Sequence, residues 1–411
     1  MSLARLWESL LPLGRDDRTG GYRRYSWTEA DLACRDWFRA VAAERELPVH
    51  ADGNGNLWAW WDPPGSPPGG PRTGAVVTGS HLDSVPDGGA FDGALGVASG
   101  FAAIDLLRER RNLPVRPIAV AAFSEEEGAR FGVACLGSRL LTGAMDPGAA
   151  RELRDGDGIT LAGAMAAAGH DPGLLGPDPA LVDGIAAFVE LHIEQGRALA
   201  GPQPAPLGVA EGIWPHGRWR FDFAGQADHA GTARLADRRD PMLPFAATVL
   251  AARECAGRLG TLATFGKVEA RPGGVNAISS TVRAWLDARA PDQPGLDETV
   301  EQIGVAAGQA ARAHSVAVTV AAESRTPPAV FDRALRDRIT RLLATAGTDV
   351  PALQTGAGHD AGVLTAHVPA AMLFVRNPTG VSHAPGEHAD PEDCEAGVAA
   401  LAAVLEDLAC R

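Results

Sequence analysis

A glycine-rich stretch near the start of the chain, GSHLDSVPDGGAFDGALGVASG (residues 79–100), carries one histidine and three aspartates. Asp83, Asp87 and Asp92 all follow His81 within eleven positions. A turn needs one residue of this kind, whereas a histidine and a carboxylate that a flexible loop brings to one point can ligate a metal ion. The residue types and their spacing therefore favour metal-ligand chemistry.

Residues of the same two kinds recur later in the chain: Glu125, Glu126, Glu127, His192 and His383. Imidazole and carboxylate ligands without a thiolate suit zinc, manganese, cobalt or nickel. Three histidines and two carboxylates exceed the needs of one tetrahedral ion. They would suit two ions about 3.5–4 Å apart that share a carboxylate, polarise a carbonyl group and lower the pKa of a bound water.

Each of these residues also has an ordinary structural interpretation. His81 and His192 could be hydrogen-bonded histidines of the fold, and His383 could lie on the surface. Asp92 followed by Gly93 is a common turn pair, and successive glutamates are typical of a solvated loop. Five such residues at the ends of four buried strands nevertheless favour the metal site, because a buried strand end is a poor place for unpaired charge.

Four apolar segments with the character of buried strands must position these residues: 75–79, 116–124, 184–191 and 369–377. They alternate with helical segments, of which 95–110 is one, and this order predicts an α/β sheet covered on both faces. A capping-box spacing at Ser26 and Glu29 predicts the start of another helix. The candidate ligands follow the carboxyl ends of the strands, the edge at which open α/β sheets bind ligands.

The middle of the chain has a different pattern, with apolar and polar residues alternating in the strand-like segments 217–226 and 281–289. Together with the other segments it reads β-α-β-β-α-β, a small sheet with two helices on one side. We therefore predict a large α/β domain, with a central mixed, mostly parallel sheet, formed by residues 1–208 and 327–411. Residues 209–326 would form a smaller α+β domain inserted into it.

Composition excludes several classes of protein. The 411 residues carry a net charge of −14, which argues against a nucleic-acid partner. The sequence contains no uninterrupted apolar window of about 18 residues, so it predicts no membrane span. Residues 1–17 are expected to form a helix of the mature protein. The five cysteines contain no C-x-x-C pair, so neither a disulfide framework nor a cysteine zinc site is indicated. A reducing cytoplasm is the expected location.

Several motifs together resemble one family. HLDSV…GGAFDGALGV, EEGARF, LHIEQG, HAGT, GAGHDAG and GVSHAPGE are similar, in this order and over nearly the whole chain, to the hydantoinase/carbamoylase branch of the aminoacylase and carboxypeptidase-G type dinuclear metallohydrolases. That branch includes N-carbamoyl-L-amino acid hydrolases, β-ureidopropionases and allantoate amidohydrolases. The resemblance implies two divalent metal ions per chain.

The resemblance also implies roles for individual residues of the large domain. Asp92 would bridge the two ions, and Glu126 would be the general base. The remaining ligands would be His81, His192, Glu127 and His383. Asp83 would orient the imidazole of His81, and Gln195 and Gly358 would contact the substrate.

The inserted domain would complete the site as a lid and would also form a homodimer. His229 in HAGT would stabilise an oxyanion, and Asn276 and Arg289 would grip a substrate carboxylate. Some of these residues can reach the partner's site in the family. The segment VRNPTGVSH departs from the Pro-Ser pair that the family often has there, and Arg376 could line the pocket or bind a nearby acidic residue.

The expected function is hydrolysis of the ureido (N-carbamoyl) C–N bond of a small carboxylate such as allantoate or an N-carbamoyl-L-amino acid. An N-acyl-amino acid hydrolase or dipeptidase would use the same chemistry. A non-catalytic metal- or ligand-binding protein is disfavoured by Glu126 next to Glu127, because a binder needs only the ligand. A cysteine hydrolase using Cys135 lacks a histidine at a familiar spacing, and a small buried cysteine is the simpler interpretation.

Overall fold

The computed structural model describes residues 3–67, 69–347 and 350–411. Within these residues the strands are β1 Val49–Ala51, β2 Leu57–Trp61, β3 Ala75–His81, β4 Ile118–Phe123, β5 Ile185–Ile193, β6 Leu207–Ile213, β7 His216–Ala224, β8 Asp228–His229, β9 Leu262–Arg271, β10 Ala277–Ile278, β11 Thr281–Arg289, β12 Ala317–Thr326, β13 Ala329–Val330, β14 Ala352–Thr355 and β15 Ala370–Val375.

The α-helices are α1 Leu3–Leu10, α2 Glu29–Ala43, α3 Ala94–Glu109, α4 Leu136–Thr142, α5 Pro147–Arg151, α6 Leu161–Ala167, α7 Pro179–Asp183, α8 Met242–Leu259, α9 Gln293–Ala313, α10 Arg333–Thr345, α11 Asp360–Leu364 and α12 Pro391–Ala409. Among the described residues, no helix combines the length and apolar character needed to cross a lipid bilayer.

The chain divides into two compact units, one running up to Gly212 and resuming at Val330, the other spanning Ile213–Ala329. The sequence places the insertion at 209–326. The start differs because Leu207–Ile213 forms β6, which pairs with β15 of the large sheet. Nothing in the isolated sequence of β6 distinguishes a strand of one sheet from a strand of the other.

The larger unit is built on a mixed sheet with the strand order β1-β2-β4-β3-β5-β15-β6-β13, and β14 pairs with β6. The four central strands, β4, β3, β5 and β15, are mutually parallel, and antiparallel strands flank them. This arrangement confirms the predicted α/β fold class. Parallel neighbours place the carboxyl ends of β3, β4, β5 and β15 at one edge of the sheet.

One face of this sheet packs on a large hydrophobic core. Alternate residues of β5, such as Val189 and Leu191, point into this core. Helices α3 and α12 pack on it and contribute Phe101 and Leu401. The period of two along β5 then places Glu190 and His192 on the opposite face. The strand is therefore apolar throughout on one face and carries ionisable groups near its end on the other.

The start of α2 differs from the predicted capping box. Thr28 occupies the N-cap position and Ser26 does not cap the helix. Trp27 has a left-handed φ of 64°, and its backbone N–H donates to Asp31 Oδ2 at 2.8 Å. The prediction was wrong because this turn moves the helix start two residues beyond Ser26, and Asp31 rather than Glu29 is the acidic side chain that accepts from the backbone before the helix.

The smaller unit contains a four-stranded antiparallel sheet in the order β12-β7-β11-β9. Helices α8 and α9 pack on one face, where Phe221, Phe223, Val282 and Ile303 form a second hydrophobic core. The strands β8 and β10 pair separately as a short antiparallel ribbon. The β-α-β-β-α-β order predicted from alternating residues is therefore present, with this ribbon added to it.

Candidate metal centre

The predicted metal ligands of the larger unit lie at one edge of its sheet. His81 is the last residue of β3, and His192 is the penultimate residue of β5. Glu126 and Glu127 follow β4, and His383 follows β15. The parallel order of these four strands is what brings together residues that are up to 302 positions apart in the sequence.

A sharp turn brings the remaining predicted ligand, Asp92, to the same edge of the sheet. Gly93 has a φ of 64° and forms the N-cap of α3. A Cβ atom at Gly93 would lie 2.4 Å from Nε2 of His81, so a side chain there would displace the imidazole. Glycine thus satisfies both the left-handed backbone and the close approach of Asp92 to His81.

The carboxylate of Asp92 is the centre of the cluster. Its Oδ1 lies 3.4 Å from Nε2 of His81 and 3.2 Å from Nε2 of His192. Its Oδ2 lies 3.3 Å from Nε2 of His383, and that nitrogen is 3.6 Å from Oε2 of Glu127. The two oxygens therefore face two different groups of donors, as a carboxylate shared by two ions would require.

Gln195 also contacts this cluster. Its Nε2 donates a hydrogen bond to Oδ2 of Asp92 at 2.7 Å and lies 3.2 Å from Nε2 of His383. The structure therefore places Gln195 beside the candidate ligands. Its predicted contact with a substrate amide stays a prediction.

The orientation of each imidazole is fixed from the far side of its ring. Nδ1 of His81 lies 3.0 Å from the backbone oxygen of Asp83 and 3.6 Å from its Oδ1. Nδ1 of His192 lies 2.8 Å from the backbone oxygen of Ile193. If Nδ1 carries the ring proton in both, the Nε2 lone pairs face Asp92, which is the tautomer that a metal ligand needs.

The side chain of Asp83 has a second role that the sequence did not indicate. Its two carboxylate oxygens accept hydrogen bonds from the backbone N–H groups of Glu126 and Glu127, each at 3.1 Å. Asp83 therefore ties the loop after β4 to the loop after β3. The proposed orientation of His81 is served mainly by the backbone carbonyl of Asp83.

The buried charges shift one another's pKa values. Burial alone would lower the pKa of His192, but the hydrogen bond and charge of Asp92 outweigh it and raise the pKa to about 9. His81 behaves similarly, because burial is outweighed by Glu126 and the neighbouring aspartates, and its pKa lies well above the ordinary value. Burial acts to raise the pKa of Asp92, yet the three histidines hold it well below its usual range.

Glu126 is buried beside this cluster. Burial raises its pKa to about 8, although the nearby charge of His81 opposes the shift. Its Oε2 lies 3.6 Å from Nε2 of His81, and its Oε1 accepts a hydrogen bond from the thiol of Cys135 at 3.2 Å. Burial also raises the pKa of Cys135 well above its ordinary value, which keeps the thiol protonated and poorly nucleophilic.

The donor set fits divalent cations. Three imidazole nitrogens and the carboxylates of Asp92 and Glu127 converge within 4.8 Å in two overlapping groups. The ion-pair partners of these carboxylates in the described part of the chain are histidines rather than lysine or arginine. Oε1 of Glu127 is buried and, among the described residues, has no hydrogen-bond partner, which leaves a buried acceptor that a cation could satisfy.

Two further features of this edge were missed in the sequence. Glu387 is buried, and its Oε1 accepts hydrogen bonds from the backbone N–H groups of Phe91 and Asp92; burial raises its pKa to about 7. His359 is buried with its ring centroid 4.4 Å from that of His192. The motifs GVSHAPGE and GAGHDAG contained both residues, but their types alone did not separate them from loop residues.

Gly358 immediately precedes His359 in the loop before α11. The geometry gives no separate indication of its predicted contact with a substrate, which stays a prediction. Arg376 binds Asp393, with Nε 2.8 Å from Oδ2, and lies 3.7 Å from Asp390. Of the two interpretations of Arg376, the structure favours the acidic partner.

In the smaller unit, His229 and Asn276 are neighbours. His229 pairs with Ala277 in the ribbon, and the N–H of Ala230 donates to the backbone oxygen of Asn276 at 2.9 Å. The side chain of His229 is exposed, and its Nδ1 accepts a hydrogen bond from Gly231 at 2.9 Å. These two residues are therefore brought together within their own unit.

Arg289 is the last residue of β11, while Asn276 precedes the first residue of that strand, Thr281, by five positions. At about 3.4 Å per residue β11 spans about 27 Å, so Arg289 stands at the strand end away from the ribbon. Its guanidinium binds Asp287, with Nε 2.8 Å from Oδ1.

Metal affinity is expected to rise with pH up to about pH 9. Below that value His192 is protonated in the metal-free protein, because burial and His81 act to lower its pKa but Asp92 and Glu190 outweigh them and raise it to about 9. The proton must leave before an ion can bind the ring. Zinc affinity measured by chelator competition from about pH 6 to about pH 9, with proton release followed by calorimetry in different buffers, tests this expectation.

The control for that measurement is His229→Ala, which lies outside the donor set and should give the wild-type profile. A zinc affinity that does not change with pH, or zinc binding without proton release, would contradict the assignment of His192 as a ligand.

Comparisons with known proteins place these observations in a family. The sequence model of Peptidase family M20/M25/M40 matches residues 77–407. An N-carbamoyl-L-amino acid amidohydrolase from Geobacillus stearothermophilus is 37% identical, covering 97% of this chain and 96% of that protein. An allantoate amidohydrolase from Escherichia coli (strain K12) is 31% identical, covering 96% and 94%.

A solved structure leads to the same family. The crystal structure of a hydantoinase/carbamoylase family amidase from Burkholderia vietnamiensis superposes with a TM-score of 0.87 at 28% identity, covering 100% of this chain and 98% of that one. The predicted class, a metal-dependent hydrolase of C–N bonds, is confirmed at this level. The chain belongs to the M20/M25/M40 peptidase family and, within it, to the hydantoinase/carbamoylase amidases.

Proposed function

We propose that this protein hydrolyses the ureido C–N bond of a small carboxylate, such as an N-carbamoyl-L-amino acid or allantoate. The observation that carries the proposal is the carboxylate of Asp92 held between three histidine nitrogens with Glu126 buried beside it. The relatives named for N-carbamoyl-L-amino acids and allantoate support the substrate class. The products would be ammonia, carbon dioxide and an amine-bearing acid.

We propose that two divalent ions, zinc or manganese, cobalt or nickel, bind at this site. The ligands would be His81, His192, Asp92, Glu127 and His383, with Asp92 shared. When bound, the ions would polarise the ureido carbonyl and lower the pKa of the attacking water.

Glu126 would then act as the general base. It would take a proton from the attacking water and deliver it to the departing nitrogen. Its Oε2 faces His81, while its Oε1 is engaged by the thiol of Cys135. This arrangement leaves one oxygen of the carboxylate directed towards the candidate ligands. His229 would stabilise the oxyanion of the tetrahedral intermediate.

A carboxylate-binding role for both Asn276 and Arg289 has a structural consequence. The two residues flank opposite ends of β11 within one unit. This separation supports a homodimeric site in which one chain supplies the ribbon residues Asn276 and His229, and the other supplies Arg289. The dimer, the lid role of Ile213–Ala329 and the cytoplasmic location remain proposals.

Ammonia release by metal-reconstituted protein tests the proposed function. We expect turnover of N-carbamoyl-L-amino acids or allantoate, and little or none of N-acetyl-amino acids. The matched control is Glu126→Gln, which keeps the shape of the side chain and the candidate ligands but removes the base. It should retain its metal ions and lose about 10²–10⁴-fold in turnover.

Turnover of N-acetyl-amino acids alone would overturn the ureido substrate. Near-wild-type activity of a metal-replete Glu126→Gln protein would remove the general base from the mechanism.

Cys135→Ser should leave most of the activity intact. The thiol is buried with a raised pKa, and a serine hydroxyl can donate the same hydrogen bond to Oε1 of Glu126. Steady-state kinetics and elemental analysis of the two proteins provide the measurement. Complete loss of turnover in a folded, metal-loaded variant would favour a thiol nucleophile instead.

Mixed dimers test whether His229 serves the site of the partner chain. Combining His229→Ala chains with Glu126→Gln chains should restore part of the activity, because one site then contains an intact Glu126 from one chain and an intact His229 from the other. The control combines His192→Ala with Glu126→Gln, two changes in the same unit, and should restore nothing. Verified mixed dimers that stay inactive in the first combination would exclude the sharing of His229.

A further inference from the structure

Glu387 is a buried carboxylate that contacts both the loop carrying Asp92 and the segment carrying His383. It lies four residues after His383 in the segment between β15 and α12, and only 5% of its surface is exposed. Its Oε1 accepts hydrogen bonds from the backbone N–H of Phe91 at 2.9 Å and of Asp92 at 3.0 Å. A single oxygen thus binds two successive amides of the loop that carries the central carboxylate.

The loop opposite Glu387 is shaped to receive it. A Cβ atom at Gly89 would lie 2.3 Å from Oε1 and 2.5 Å from Cβ of Glu387, so any side chain there would collide with most of the glutamate. Gly89 does not have a left-handed φ, so the close approach alone accounts for glycine here. Ser382 contacts the other oxygen of the glutamate, with its Oγ donating to Oε2 of Glu387 at 3.4 Å.

Aromatic contacts reinforce the same junction. The ring of Phe91 stacks on Trp7 with centroids 4.9 Å apart and meets the edge of His388 at 6.0 Å. Phe91 on one loop and His388, the residue after Glu387, on the other therefore also pack against each other.

We infer that Glu387 is a positioning residue that links the loop carrying Asp92 to the loop carrying His383, and that Gly89 leaves the space that Glu387 occupies. The inference rests on the proposed metal centre. The N–H of Asp92 is fixed by Glu387, so the direction of the Asp92 side chain follows from this hydrogen bond. The same glutamate restricts the segment that carries His383. It thereby sets the distance between Asp92, the proposed shared ligand, and His383.

Residues that orient a metal ligand typically contribute about 10–100-fold to metal affinity. Glu387→Ala is therefore expected to weaken zinc binding by about 10–100-fold. It removes the acceptor of the N–H groups of Phe91 and Asp92, of which Asp92 is buried. Glu387→Gln keeps an oxygen at Oε1 and should bind zinc nearly as tightly as the wild type.

Gly89→Ala provides a second variant that does not touch the glutamate itself. Its added methyl group displaces the carboxylate of Glu387, so it should also weaken zinc binding. The double variant Gly89→Ala, Glu387→Ala should bind zinc no more weakly than Glu387→Ala alone, because both substitutions remove the same contact of Glu387.

Zinc titration of the folded, metal-free full-length chain in competition with a chromophoric chelator measures these affinities without any substrate. Leu401→Ala is the matched control for general destabilisation, because it opens a cavity in the core under α12 and changes a residue that belongs to neither loop. It should lower the thermal midpoint of unfolding and keep the zinc affinity of the wild type.

The outcomes separate the two proposals. Wild-type zinc affinity in Glu387→Ala, or an equal loss in Leu401→Ala, would overturn the role of Glu387. Tight zinc binding by a protein that hydrolyses no ureido compound would overturn the proposed substrate and leave the role of Glu387 standing. A wild-type chain that binds none of zinc, manganese, cobalt and nickel would overturn the metal centre and the role of Glu387 with it.

Discussion

One buried carboxylate, that of Asp92, organises the chemistry of the larger unit. Its two oxygens face imidazole nitrogens that come from β3, β5 and the segment after β15. Such a carboxylate is costly to bury unless positive charge or hydrogen-bond donors surround it. The parallel order of the four central strands meets this requirement, because it places donors from distant parts of the chain at one edge. The turn at Gly93 then brings Asp92 to them.

The strands and the candidate ligands at their ends were predictable in position because apolar segments ending in a histidine or an acidic residue leave a strong local pattern. His81 and His192 belong to this class. Contacts between loops leave no such pattern. Glu387 is an ordinary loop glutamate in the sequence, and the amides that donate to it lie nearly 300 positions away. Asp83 was recognised beside His81, but its binding to the backbone of Glu126 and Glu127 depends on the pairing of β3 with β4.

The smaller unit shows a related limit. Alternation along β7 and β11 predicted a sheet with one wet face, since side chains of a strand point to opposite faces. The same alternation does not indicate which residues lie near one another at the ends of that sheet. His229 and Asn276 meet only because β8 and β10 pair as a ribbon, and the strand order then leaves Arg289 at the other end of β11. Residue roles assigned one by one thus acquire a spatial constraint that the sequence does not contain.

The electrostatics of the larger unit link metal binding to the state of the base. Without an ion, burial raises the pKa of Glu126 to about 8 and neighbouring carboxylates add to the shift, so the group is protonated at neutral pH. A protonated carboxyl group cannot accept the proton of a water molecule. Positive charge beside Asp92 and Glu127 would lower the pKa of Glu126 and displace the proton from His192. Cations bound at this candidate site would therefore leave the imidazoles neutral and Glu126, the proposed base, ionised.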